Sequence, residues 1–592
     1  MIYLTTVSFL FVILSYSNFL TIKLNIKASQ SFLLSCCIII LIGCFFLIIQ
    51  EKYHTQLMNE FIILIIILSF FTIPFIKKNY YKINKTINIE FFIIFIIFFL
   101  LCKDRYYLDQ DEITYWGRTF KKMVLQIPLS TDTHHPQGLL IFSYPINFFK
   151  LNEGMTIFSN NIILISGYFF LFYEKRFILF EKIIIFLIYF LLLNNLSFGF
   201  VSFYSDPVLA MFFACLLKII YFYFYLDKKT NLINFLMCFL LIALALLQIN
   251  RASPIYFSCG ILFLFSLVII EYFDKRNFNH YLLIFFSITT LIYFSYSHFL
   301  TDYLHGHYLK ETIIKNIIKF FQSSFLQENY IDLLLSPIYF SEFGVLFNAI
   351  NEYYSFINYK LPEFQILLVV YILLFFLFLS FKFPNKLYLI SFSICVILSY
   401  SWVVFILKFQ IENLNILAQP RYIGIIILAL FFFLFSIVLK YCKHLYYNLT
   451  ILLFLALFIS VAPKKTLGLF VSDKIYYSDP SNHKYKINRQ KIKALTEKVK
   501  DYDEVIVIHQ FGMSDYTDNL ISGEHTFYHD IITYELYPLS RISFYELKKF
   551  KNNLENFSKI KTIKFIFIYF DLSANEIKML SSLEDSLIIN TY

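Results

Sequence analysis

Residues 31–50, SFLLSCCIIILIGCFFLIIQ, run for twenty positions without a charged side chain. As a helix, a run of about 20 residues rises about 30 Å, the depth of a bilayer's hydrocarbon core, so this stretch reads as a span. Working outward from it, comparable apolar runs lie near 3–22, 61–76, 88–102, 155–173, 178–193, 205–226, 231–249, 254–270, 281–299, 364–380, 387–406, 422–440 and 449–462. With 31–50 they make about fourteen candidate spans. The whole chain agrees: of its 592 residues 59% are hydrophobic and only 15% charged, with mean hydropathy +0.67. A soluble domain carries about a quarter charged residues, so a soluble globular protein is excluded. The expectation is an all-α polytopic membrane protein.

A formal charge of +10 raises nucleic acid as a partner, but the basic residues sit in short loops between spans, which makes them a topology signal and leaves no nucleic-acid partner. The set is Lys77, Lys78, Lys82, Lys85, Lys175, Arg176, Lys228, Lys229, Lys275, Arg276, Lys382, Lys386 and Lys443. All fall on one side if 138–149 is a juxtamembrane or re-entrant helix that does not cross. Residues 3–22 lack a basic leader and a small-residue cleavage site, and Lys23 and Lys27 follow them, so they read as a retained span with the N-terminus outside. The loops 103–154, 194–204, 300–363 and 407–421 and the segment from 463 then face outward. In a bacterium this is a multi-pass inner (cytoplasmic) membrane protein whose site and C-terminal domain lie on the periplasmic or outer side.

Four regions follow: N-terminal spans over 1–102; a first large outer loop, 103–154; a transmembrane core, 155–462, with a second outer loop at 300–363; and a soluble α/β domain at 463–592. In the last, 489–500 reads as an amphipathic helix, Val505–Ile508 and Ile563–Tyr569 as strands, and Ser543 with Glu546 and Ser573 with Glu576 as capping boxes opening helices. No nucleotide-binding glycine loop is present, Gly512 and Gly523 being isolated, so the domain is assigned to acceptor recognition or a structural role. The nine cysteines lie in or beside apolar runs without CxxC spacing and read as small packing residues. Within 300–363, ETIIKNIIKFFQSSF carries an apolar face that suits the outer interface.

Chemistry-bearing residues gather in 104–145, DRYYLDQDEITYWGRTFKKMVLQIPLSTDTHHPQGLLIFSYP. Asp109, Asp111 and Glu112 stand just beyond an apolar span. Carboxylates there are either functional or the first-turn caps of a helix, with Asp109 or Asp111 accepting from free backbone N–H groups. From Asp111 onward Ile113, Trp116, Phe120 and Val124 recur at helical spacing, predicting a short amphipathic helix on the membrane surface.

DEITYWGRTFKKM followed by HHPQGLLIFSYP resembles the first outer loop of the GT-C fold glycosyltransferases that use polyprenyl-phosphate sugars, the lipid A aminoarabinose transferases and protein O-mannosyltransferases among them. Asp111, Glu112, Tyr115 and the Lys121/Lys122 pair match that family's order of an acidic pair, an aromatic and a basic amphipathic helix. His135 with Pro136 stands where the family has a proline motif, here a single proline followed by Gln137. Tyr204-Ser205-Asp206-Pro207 is similar to a second acidic position, and Gln419-Pro420-Arg421-Tyr422 to an Arg-Tyr pair opening a late span. Four spans before the acidic loop, where the family often has one, are a departure. The resemblance implies a GT-C-like membrane core, a polyprenyl-phosphate-linked sugar as donor, and a glycan, lipid or protein of the cell envelope as acceptor.

That chemistry needs a base to take the acceptor's proton, for which Asp111 is the first choice with Glu112 and Asp109 behind it. It also needs fixed cations for the departing phosphate, for which Arg421 and Arg251 are candidates at outward span ends. Each arginine also reads as an ordinary interfacial anchor. Asp206 either places the acceptor or a divalent cation, or caps a helix with Pro207 at its first position. His305, His307, His134 and His135 lack a regular metal-ligand spacing, and metal dependence through Asp109, Asp111 or Asp206 stays open. Two alternatives remain: an O-antigen ligase or polymerase centred on His305 and His307 in 300–363, and a flippase or transporter for a lipid-linked glycan.

Overall fold

A computed structural model describes residues 2–53, 55–79, 81, 83–107, 116–125, 137–149, 151–195, 200, 203, 205–222, 232–249, 419–441, 504–509, 534, 541–546, 563–569 and 586–590. The chain divides into two compact units. The first comprises Met1–Tyr106 and Pro128–Pro463, the second Tyr107–Ile127 and Lys464–Tyr592.

The described part of the first unit is helical: α1 (Ile2–Lys23), α2 (Ala28–Tyr53), α3 (Met58–Lys78), α4 (Lys85–Cys102), the short α6 (Gly138–Ser143), α7 (Glu153–Phe172), α8 (Leu179–Asn195), α9 (Ser205–Tyr221), α10 (Leu232–Leu247) and α11 (Gln419–Tyr441), with α5 (Arg118–Val124) belonging to the second unit. Among the described residues five helices, α1 to α4 and α7, are long and apolar enough to cross a membrane. The protein is a helical, multi-pass membrane protein in a lipid bilayer. The apolar runs at 254–270, 281–299, 364–380, 387–406 and 449–462 and the loop 300–363 lie outside the described residues.

Helix α2 packs against α1, α3, α6, α7 and α10, and α7 against α4 and α9. All 20 residues of α7 and all 17 of α9 are buried, so these two form the centre. Phe70, Phe71, Ile89 and Leu100 on α3 and α4 are exposed by more than half, as suits a flank solvated by lipid tails rather than water. The six described cysteines, Cys36, Cys37, Cys44, Cys102, Cys215 and Cys238, are free and buried, as expected of packing residues.

The two ends of the bundle differ in charge. At one end Lys182 Nζ pairs with Glu90 Oε1 at 2.7 Å and donates to Tyr173 Oη at 3.0 Å. There too Lys218, on α9, donates to the Phe170 and Leu171 carbonyls that α7 leaves without helical partners. Arg176 donates to the carbonyls of Leu439 and Lys440 at the end of α11, and Lys23 lies 5.9 Å from the Phe75 ring centre. The C-termini of α1, α3, α7, α9 and α11 and the N-termini of α4 and α8 therefore share one end, and most of the described basic residues of this unit gather there. Glu90 and Lys218 each find their partners at this end, Lys182 for the one and the α7 carbonyls for the other.

The segment after Pro136 behaves as the charge pattern requires. Helix α6 has six residues, about 9 Å at 1.5 Å per residue, too short to cross. It is buried throughout, the Gly138 amide donates to the Gln248 carbonyl at 2.8 Å, and Ser143 bonds Ser159 of α7. A Cβ at position 138 would strike the Gln248 backbone, so glycine permits this close approach.

In the second unit, four strands form a parallel sheet in the order β2-β1-β3-β4: β1 (Glu504–His509), β2 (Arg541–Glu546), β3 (Ile563–Tyr569) and β4 (Ser586–Asn590). Val505–Ile508 and Ile563–Tyr569 are strands as expected. Ser543–Glu546 is not: it lies within β2 and pairs with Ile506–His509 instead of opening a helix. RISFYE alternates Ile542 and Phe544 with polar residues, and that period-2 pattern outweighs a Ser-x-x-Glu spacing that many non-helical segments share. The expected helix at 489–500 and the box at Ser573 and Glu576 lie outside the described residues.

Candidate functional site

Opposite the basic end, the bundle collects polar groups. The Asn161 Nδ2 donates to Cys102 Sγ at 3.2 Å and to the Phe200 carbonyl at 2.9 Å, which ties the C-terminus of α4 to α7. Asn152 caps α7 by accepting from the Met155 amide at 3.1 Å, and its own Nδ2 donates to the Lys103 carbonyl at 3.3 Å. The exit of α4 is thus fixed on the start of α7. The chain enters the acidic stretch from this fixed turn.

Asp206 sits at the same end, in the first turn of α9, 7% exposed, with Ser205 Oγ donating to its Oδ1 at 3.4 Å. Because α9 already begins at Ser205, Asp206 and Pro207 are its second and third residues rather than cap and first position. Helix α11 runs beside α9 in the same direction, since their C-terminal ends meet α7 together and the Phe433 and Tyr221 rings lie 5.9 Å apart. Counting back at 1.5 Å per residue, about 22 Å from Tyr221 to Asp206 and about 18 Å from Phe433 to Arg421, puts the two positions within about one helical turn in height. The backbone of Arg421 is thereby brought to the level of Asp206; its side chain is outside the described residues.

Reading the sequence passed over Arg105. It follows α4 directly, is 7% exposed, and its Nε donates to the Leu101 carbonyl at 2.8 Å. A cation buried at the lip of an apolar bundle is costly unless engaged, and its place four positions before Asp109 in the sequence was the available signal.

In the second unit, α5 carries Lys121. Its Nζ donates to the Tyr534 carbonyl at 2.7 Å and lies 4.9 Å from the Tyr534 ring centre, while the Tyr107 and Tyr534 rings stand 6.3 Å apart. Tyr107 and α5 flank the acidic run on its two sides in sequence, and both are held by Tyr534. Trp116, Phe120 and Met123 are covered by protein. Of the expected amphipathic face, Trp116 and Phe120 are thus buried, while Ile113 lies outside the described residues. Asp109, Asp111, Glu112, Tyr115, His135 and Arg251 lie outside the described residues. Among the described residues no group of three or more His, Cys, Asp or Glu side chains is placed to hold a metal ion.

Comparison with protein-family models, with curated proteins and with solved structures finds no match for this chain.

Proposed function

We propose that the protein is a membrane glycosyltransferase of GT-C type, moving a sugar from a polyprenyl-phosphate donor to a cell-envelope acceptor at the outer face. The observation that carries this reading is the acidic run Asp109, Asp111 and Glu112 in its family-like order with Tyr115 and Lys121. The ordered turn at Cys102–Arg105 immediately before it, and the levelling of Asp206 with Arg421, support it.

In this reading Asp111 removes the acceptor hydroxyl's proton, with Glu112 and Asp109 completing the negative rim. Arg421 and Arg251 stabilise the charge that builds on the departing lipid phosphate, where little water competes. Asp206 positions the acceptor or a divalent cation. Attack at the anomeric carbon forms the new glycosidic bond as the bond to phosphate breaks, and a single displacement inverts that carbon.

The test is Asp111→Asn in membrane vesicles supplied with polyprenyl-phosphate sugars. Loss of a general base lowers transfer by about 10²-fold or more; transfer near the wild-type rate refutes the assignment. Activity lost on substitution of His305 and His307, with Asp111→Asn silent, would instead favour the ligase or polymerase. Movement of labelled lipid without a new glycosidic bond would identify a flippase.

A further inference from the structure

Residues 173–178, YEKRFI, turn the chain from α7 into α8 and set exposed charge beside exposed apolar side chains at one corner of the basic end. The turn is firmly held. The Phe177 amide donates to the Glu174 carbonyl at 3.2 Å, and the Glu181 carboxylate accepts from the Ile178 amide at 2.9 Å, closing the start of α8. Phe177 is buried beneath the turn, while Lys175 and Arg176 remain exposed. Arg176 is nonetheless fixed in place: its Nη2 donates to the Leu439 and Lys440 carbonyls, and its guanidinium lies 5.2 Å from the Phe177 ring centre. Those two bonds employ a single nitrogen of a group with five N–H donors, so the fork keeps capacity for a further acceptor.

The surroundings of Arg176 are positive. Lys440, at the end of α11, and Lys218, on α9, bring their ammonium groups to one ring, Phe222, at 4.3 and 5.1 Å from its centre. The nearby carboxylates are largely committed, since Glu181 serves the first amide of α8 and Glu90 pairs with Lys182 at 2.7 Å. Basic residues gathered between helices at one face of a bilayer attract anionic headgroups, and guanidinium suits their phosphate oxygens.

Just past Arg176 the corner turns apolar. Ile178, Leu179 and Phe180 are exposed by 52%, 68% and 56%, and Ile183, one turn further along α8, by 48%. On the flank of a membrane bundle such side chains meet acyl chains rather than water. A soluble anion would gain nothing from this face, and a neutral lipid nothing from the positive field. An anion carried on an acyl tail uses both.

We propose that this corner binds an anionic phospholipid, its phosphate on Arg176 and Lys175 and an acyl chain along Ile178, Leu179, Phe180 and Ile183. The site is independent of the reaction proposed for the opposite end of the bundle. The test places the full chain in nanodiscs of equal parts phosphatidylglycerol and phosphatidylcholine and reads the lipids it retains by native mass spectrometry. The wild type is expected to prefer phosphatidylglycerol by about tenfold or more, and Lys175→Gln and Arg176→Gln to lower that preference about three- to fivefold each. Arg176→Lys keeps the charge without the fork and should fall between the wild type and Arg176→Gln. Lys175→Gln, at an exposed position, leaves the Arg176 bonds to α11 in place, so it keeps the test decisive where Arg176→Gln loosens the bundle. Lys77→Gln combined with Lys78→Gln removes two exposed lysines at the same end, on α3, which packs against α1 and α2; this double variant should stay within about twofold of the wild type. No preference for phosphatidylglycerol in the wild type overturns the proposal, as does a preference untouched by Lys175→Gln and Arg176→Gln. An equal loss in the α3 double variant overturns it too, reducing the effect to diffuse charge. So does displacement of the lipid by inorganic phosphate, because the acyl chain would then contribute nothing.

Discussion

Replacing Gly154 by alanine tests whether the exit of α4 is held as tightly as the geometry says. A Cβ at this position, the second residue of α7, would fall on the Cys102 carbonyl oxygen and come within 2.9 Å of the Arg105 nitrogen. Those two atoms are themselves hydrogen-bonded at 2.9 Å, closing the turn that leads out of α4. Both are backbone, so neither can swing aside as a side chain would. Overpacking of this kind costs about 1–3 kcal/mol, and weakening the turn's hydrogen bond adds about 1 kcal/mol. Against this stands the helix-propensity gain of alanine over glycine, about 1 kcal/mol at most and less in a first turn. The net is a destabilisation of about 2–3 kcal/mol. At about 2–4 °C per kcal/mol for domains of 150–250 residues, the apparent melting point in detergent drops by roughly 5–10 °C. Gly167→Ala is the internal control, because there the three atoms nearest the new methyl are Sδ, Cγ and Cε of Met211, part of an adaptable side chain. It should lower the melting point by less than Gly154→Ala does, since a thioether side chain can shift where backbone cannot. Gly154→Ala melting at or above the wild type, or Gly167→Ala proving the more harmful, would refute the reasoning.

Lys218→Met removes the ammonium that serves the Phe170 and Leu171 carbonyls; a loss of about 1–3 kcal/mol is expected, most of it restored by Lys218→Arg, read from melting curves. A double-mutant cycle with Glu90→Gln and Lys182→Met should give a coupling of about 1 kcal/mol, since the 2.7 Å pair is only partly solvated at 23% and 16% exposure. Additive single effects would show that the pair contributes nothing. Lys121→Met breaks both the hydrogen bond and the ring contact to Tyr534, and limited proteolysis should then cut 107–127 roughly tenfold faster. Unchanged cleavage would mean that α5 is held by Trp116 and Phe120 alone.

Much of the membrane core was legible because one force dominates there. A backbone in hydrocarbon must satisfy its own hydrogen bonds, so the lengths of the apolar runs at 3–22, 31–50, 61–76 and 88–102 give the helices directly. The loop lysines likewise require 138–149 not to cross, and α6 is too short to do so. Local pattern failed where two periods compete in few residues, as at Ser543–Glu546, whose neighbour in β1 decided the matter. It had no access to Tyr534, which sits 413 positions from the Lys121 it engages. Of the site, types and order were readable, but nothing in the pattern singled out Arg105 until its burial was visible. The levelling of Asp206 with Arg421 depends on aromatic contacts between helices far apart in sequence.

The second unit draws on two tracts, Tyr107–Ile127 and Lys464–Tyr592, and this imposes a schedule on biosynthesis. Translation at about 5–20 residues per second needs roughly 20–70 s to travel from one tract to the other. Throughout that interval the ribosome has not yet made the Tyr534 carbonyl that Lys121 engages, so α5 waits unassembled. A nascent chain is therefore kept idle by its own gene order, and a chaperone holding the exposed tract would find its window there.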